Sequence, residues 1–226
     1  MCSITAWSQN SRIERINNKT VNFGFRGGFN SAMHLVSNLK INNVTIDDTP
    51  NTYRIGYLGA VFMRLNFQNH YLQPEISYQI SRSEITFDKL GSQHPEVEPD
   101  YATIFSKIHS LEVPVLYGYS IVKKGPYGMS VFGGPKLRFL WKNLNEIRFE
   151  NFDQQNIQEE LYPLNIGVTI GVAVNISNIF FDFRYEQGLS NFSKSVTYDN
   201  MENKESSHIV FDRRDHIVSF SFGMIF

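Results

Sequence analysis

Cysteine is almost missing from this chain: the one present, Cys2, can build neither a disulfide framework nor a cysteine-based zinc site. Charge of one sign is not in excess either, with 21 lysines and arginines against 22 acidic residues. That balance leaves no basic footprint for nucleic acid, and none is expected as a partner. Long apolar runs are absent too. No stretch approaches the roughly 20 consecutive apolar residues of a membrane-crossing helix, so a helical membrane protein is excluded. The start, Met1 to Gln9, lacks a basic leader and a full apolar segment, yet Ala6-Trp7-Ser8 before Gln9 reads like the end of a signal peptide. Residues 1–20 are therefore expected to be a flexible lead with a signal-peptide remnant, and 21–226 a single domain.

What the chain has is aromatic residues, 19 Phe and 11 Tyr, and a period of two. Alternation places successive side chains on opposite faces of a strand and fits a helix poorly. In 21–30, Val21, Phe23, Phe25 and Phe29 share one face, and Asn22, Arg26 and Asn30 the other. The same separation recurs in 54–67, 71–80, 111–119, 127–141, 164–175, 179–185 and 218–226, although Leu58 and Phe62 blur the second segment. The connections sort by parity. Those at 66–70, 122–125 and 175–178 are tight, whereas those at 31–52, 88–103, 142–162 and 190–214 are long and polar. Outer-membrane barrels show this asymmetry, with short periplasmic turns and long external loops. An all-β, single antiparallel up-and-down transmembrane barrel of about eight strands is expected, with periplasmic termini.

Alternation alone does not say which face is outside, and a lipocalin-like soluble barrel would turn the apolar face inward. Two features favour lipid outside. The apolar face runs some nine to eleven residues per strand, the length a tilted strand needs to cross the hydrocarbon layer. The polar face carries charges of both signs, Arg26, Arg64, Glu75, Glu112, Lys136, Arg138, Asp182 and Arg184, suited to pair as an ionic plug across a narrow lumen. Pro74, Pro114 and Pro135 fall inside proposed strands and argue against them, unless each sits at a bulge or a register break.

In series, Gly24-Phe-Arg-Gly-Gly-Phe-Asn30, Leu72-Gln-Pro-Glu-Ile-Ser-Tyr78, Leu111-Glu-Val-Pro-Val-Leu-Tyr117, Phe132-Gly-Gly-Pro-Lys-Leu137 and the closing Phe226 resemble the PorT-like outer-membrane β-barrel family over nearly the whole chain. The resemblance implies outer-membrane placement in a Gram-negative envelope, the same proline contexts and, for most members, no established activity. It also implies an alternative role as an accessory of type IX protein secretion. Phe220, Phe222 and Phe226 look like the terminal signal read by barrel-assembly machinery; the plainer reading is a hydrophobic last strand. Expected partners are outer-membrane lipid, that machinery during insertion, and an envelope protein met through the external loops.

Catalysis and metal binding find little support. His34, His94, His109 and His208 fall on or near the expected external side, without a nucleophile motif beside them. Glu96, Glu98, Asp100, Asp47 and Asp48 offer oxygen ligands but lack the glycine-punctuated spacing of a calcium loop. No cofactor and no metal are expected. The leading reading is a non-enzymatic barrel with a structural or interaction role; a small-barrel membrane enzyme and a soluble ligand binder are the alternatives.

Overall fold

A strand whose two faces differ in polarity must bury one of them, and eight such strands satisfy both faces by closing on themselves. The computed structural model describes residues 20–37, 39–41, 44–46, 51–88, 101–124, 126–141, 145–150, 155–190, 193–199, 206–209 and 212–226. The expected N-terminal lead lies outside them, apart from Thr20.

Eight long strands form the barrel: β1 (Val21–Ser37), β2 (Ile55–Phe67), β3 (His70–Asp88), β4 (Tyr101–Lys124), β5 (Tyr127–Leu140), β6 (Leu164–Ile176), β7 (Ile179–Gly188) and β8 (Asp212–Ile225). Each pairs antiparallel with its neighbour in the chain, and β8 returns to pair with β1. The seam closes down to the last residue, with Phe226 N donating to Phe23 O at 2.8 Å and Phe23 N to Phe226 O at 3.4 Å. No barrel strand is left with an open edge, the condition for placing backbone in hydrocarbon.

The tight connections gather at one end of the barrel. Gln68 and Ser177 open two-residue turns with φ of 55° and 58°, the mirror-type geometry that matches strand twist in a hairpin. At the other end the expected loops are shorter than the sequence pattern suggests. Strand β1 continues to Ser37, β3 to Asp88, and β4 and β8 begin at Tyr101 and Asp212. Asn51–Tyr53 pairs with β3 and Glu146–Glu150 with β4. Gln155–Leu161, Ser193–Asp199 and Ser206–Ile209 form a separate three-stranded sheet, and Leu39–Ile41 pairs with Val44–Ile46. Clean alternation reports a buried face, whereas pairing needs only backbone partners; a ladder therefore continues past the apolar belt without a sequence mark.

The prolines need no bulge. Along β3 and β4 the register Pro74↔Val115 and Ser77↔Glu112 keeps the same offset, with a gap in the ladder where Pro114 has no N–H to give. The same holds between Pro114↔Lys136 and Tyr117↔Gly133, around Pro135. Between Phe62↔Glu75 and Leu65↔Leu72 the gap falls at Pro74. The register shift between β4 and β5 lies away from the prolines, between Ser120 and Val122 beside the turn.

The apolar face is outward. On β6, Ile170 is 57% exposed and the preceding Thr169 is 1% exposed. Leu164, Ile166, Val168, Ile170, Val172, Val174 and Ile176 continue this outward row. The inward face is polar and filled, the reverse of a soluble barrel built around an apolar pocket.

Candidate functional site

The inward parity brings charged residues from six strands into one lumen narrow enough for side chains to meet across it. Glu75 on β3 is the hub. Arg26 of β1 donates to its Oε1 through Nε at 2.9 Å and Nη2 at 2.5 Å. Arg184 of β7 reaches Oε1 and Oε2 from the opposite side, both at 3.2 Å. In the ring of eight, β3 and β7 are diametrically opposed, so this pair spans the full width of the barrel. Arg184 also grips Asp182 Oδ2 through Nε at 3.0 Å and Nη2 at 2.7 Å. Ser221 on β8 donates to Asp182 and accepts from Arg26 Nη1 at 3.1 Å, closing the circuit.

Nearer the long-loop end lies a second cluster. Glu112 of β4 accepts from Arg138 Nε at 2.6 Å and from Lys136 at 3.4 Å, both on β5. Lys136 also bonds Glu186 of β7. All these side chains are buried, Glu75 and Arg184 at 0% and 1% side-chain exposure. Buried charges require partners of this quality, since taking an unpaired ion out of water costs several kcal/mol, on the order of 5.

Toward the short-turn end the filling is aromatic. Phe62, Tyr71, Phe132 and Phe180 are buried, and each lies directly across the ladder from a glycine: Gly24, Gly118, Gly171 and Gly223 respectively. A Cβ on any of these glycines would run into the ring. Phe62 and Phe180 meet edge to face at 5.6 Å, and Tyr71 OH pairs with Ser130 Oγ at 3.2 Å. Arg64 sits over the Tyr71 ring at 4.3 Å and donates to Gln73 Oε1 at 2.8 Å. Arg184 lies over Phe132 at 5.1 Å.

The structure thus places Arg26, Arg64, Glu75, Glu112, Lys136, Arg138, Asp182 and Arg184 all inside the lumen, in two linked groups and one arginine held by rings and an amide. Sequence reasoning missed Glu186, because its segment was ended at Tyr185, and Gln73 and Ser221, whose neutral side chains carry no mark apart from parity. The inward aromatics were legible only as exceptions on the polar face. Phe220, Phe222 and Phe226 all point outward and are about half exposed, 51%, 56% and 50%.

Of the histidines, His109 faces outward and pairs with Tyr78 OH through Nδ1 at 2.6 Å, remote from the lumen charges. His34 and His208 are strand positions, while His94, Asp47, Asp48, Glu96, Glu98 and Asp100 lie outside the described residues. Among the described residues no group of three or more His, Cys, Asp or Glu is placed to hold a metal ion.

The sequence profile of a family described as outer membrane protein beta-barrel domain matches residues 7–194, well over half of the chain. The chain belongs to that family. Among solved structures, several outer-membrane proteins are similar to it. The outer membrane protein OprG from Pseudomonas aeruginosa aligns with 92% of this chain and 97% of its own at 12% identity, with a TM-score of 0.57. Ail, the attachment invasion locus protein of Yersinia pestis, aligns with 92% of this chain and 100% of its own at 12% identity and a TM-score of 0.41. Neisserial surface protein A follows with 91% and 97% coverage, 9% identity and a TM-score of 0.40. No curated protein matches. The likeness to OprG shows the fold; together with the family it places this barrel domain in the outer membrane. The outward apolar belt therefore faces lipid.

Proposed function

We propose that this barrel is a non-enzymatic outer-membrane protein whose lumen is plugged and which acts through its long-loop end. The observation that carries the reading is the contact between Glu75 and Arg184 across the barrel diameter at 3.2 Å, which leaves no gap for an ion between them. The eight inward charges and Glu186 then serve as a structural plug. In this reading the short turns and both termini face the periplasm, because outer-membrane barrels carry their long connections outside. The long-loop end, extended by the paired strands beyond the belt, is the surface offered to an envelope partner.

The outward Phe220 and Phe222 on β8 and Phe226 just beyond it support a role in recognition by the barrel-assembly machinery, since all three are free to be read from the lipid side. A narrower kinship with PorT-like barrels, and with it an accessory role in type IX secretion, is favoured by the ordered motif series from Gly24 to Leu137. Planar-bilayer recordings test the plug. The reading expects no stepwise conductance from the purified barrel, and discrete ion-selective steps would overturn it. Pull-downs with and without 89–100 test the partner: secretion components retained by the full chain favour the narrower role, and surface labelling of intact cells at that connection reads the orientation.

A further inference from the structure

Above the apolar belt the outward face of β3 and β4 changes character. Arg82 stands directly opposite Lys107 in the ladder, two like charges on one face where opposite signs would be favoured. Arg82 has no carboxylate partner among the described residues; its guanidinium lies 5.7 Å from the centre of the Tyr57 ring. Nearby, Lys107 and Arg148 share one carboxylate, Glu146, at 3.8 and 3.6 Å. Arg54 is taken by Glu84. Among the described residues, four cations thus meet two carboxylates, around an open groove of about 810 Å³ that Ile55, Tyr57 and Phe105 also line. The height decides what this groove suits. Tyr57 pairs with Ile80, the last apolar outward residue of β3, so the cations begin one outward step above the hydrocarbon belt. A soluble anion would gain nothing from the apolar wall below. A lipid would lay its acyl chains on Tyr57, Val61 and Ile76 and raise its phosphate between Arg82 and Lys107, relieving their repulsion by charge-assisted hydrogen bonds.

We propose that this groove is a binding site for the phosphorylated headgroup of a membrane lipid in the leaflet at the long-loop end. Which leaflet that is rests on the orientation proposed above; the site itself does not. The test uses the full chain folded in non-ionic maltoside micelles, where sidedness plays no part, so failure of the site and failure of the orientation remain distinguishable. Three probes are offered: bis-phosphorylated lipid A, the same lipid after removal of its phosphates, and inorganic pyrophosphate. Retention per barrel is read by native mass spectrometry, and folding of each variant by heat-modifiable gel mobility. The phosphorylated lipid is expected to be retained, the dephosphorylated lipid on the order of tenfold less, and pyrophosphate not at all. The double variant Arg82→Gln with Lys107→Gln should lower retention by on the order of tenfold, while Lys124→Gln at the short-turn end leaves it unchanged. If the double variant does not fold, Arg82→Gln and Lys107→Gln are compared singly, each expected to reduce retention. Equal retention of the two lipids, full retention by the glutamine variants, or pyrophosphate held as well as the lipid would each overturn the proposal.

Discussion

The inner and outer faces of the barrel wall obey the same period of two but handle charge in opposite ways. Inside, Arg26, Arg184, Lys136 and Arg138 each meet a carboxylate, and every one of these groups is buried. Outside, Arg82 and Lys107 face each other above the belt, and the salt bridge of Arg54 is half in solvent, with 53% of the arginine side chain exposed. The difference follows from solvation. A charge in the filled lumen has no water to turn to, whereas one above the hydrocarbon has water and headgroups at hand. Burial, more than sign or number, is what marks a charge in this protein as structural.

The largest expected effect comes from breaking the hub. Glu75→Ala removes the shared acceptor of Arg26 and Arg184, leaving Arg26 buried without a carboxylate and Arg184 with Asp182 alone, at a cost of roughly 3–5 kcal/mol. Urea unfolding of the barrel in vesicles, followed by loss of heat-modifiable mobility, measures it; a midpoint within error of the parent would contradict the plug. Next is the lipid face. Ile170→Arg, at the middle of the β6 belt, should destabilise by about 2–4 kcal/mol, and Ile55→Arg on β2, level with Arg82 just above the belt, by about 0–1 kcal/mol. Equal costs at the two depths would mean that the belt does not lie in hydrocarbon.

Glycine matching sharpens the inner side. Gly118→Val places a side chain where the Tyr71 ring lies and should cost roughly 1–3 kcal/mol, a loss largely relieved when Tyr71→Ala is added. Additive costs in the double-mutant cycle would show that the two do not share the space. Smallest is Arg54→Ala at the exposed pair with Glu84, worth about 0–1 kcal/mol and fading with added salt.

Much of this architecture was legible in the chain because lipid and lumen impose a strict two-residue code on the belt. Ile166, Val168 and Ile170 against Gly167 and Thr169 could be read without any structure. The lumen charges were legible for the same reason: a charged residue on the polar parity of a membrane strand has nowhere to go but inward. Past Ile80 the code lapses, since water wets both faces, and the pairing of Arg82 with Lys107 depends on backbone register alone. The prolines misled through a local rule. A missing N–H interrupts a ladder, but the flanking bonds hold the offset, so Pro74, Pro114 and Pro135 sit in continuous register. Which glycine faces which ring also depends on register, and no single strand reveals it.

The central claim is that the two faces of each strand see lipid and a filled, ion-paired lumen. Site-directed spin labelling of β6 tests it most directly, with Val168→Cys, Thr169→Cys, Ile170→Cys, Val172→Cys and Ala173→Cys each made in a Cys2→Ser background and read in vesicles. Labels at 168, 170 and 172 should collide readily with dissolved oxygen, and those at 169 and 173 should be shielded from both oxygen and a water-soluble nickel reagent. Strong nickel accessibility at 169 and 173 would reveal a water-filled pore, and a lack of alternation would contradict the barrel wall itself.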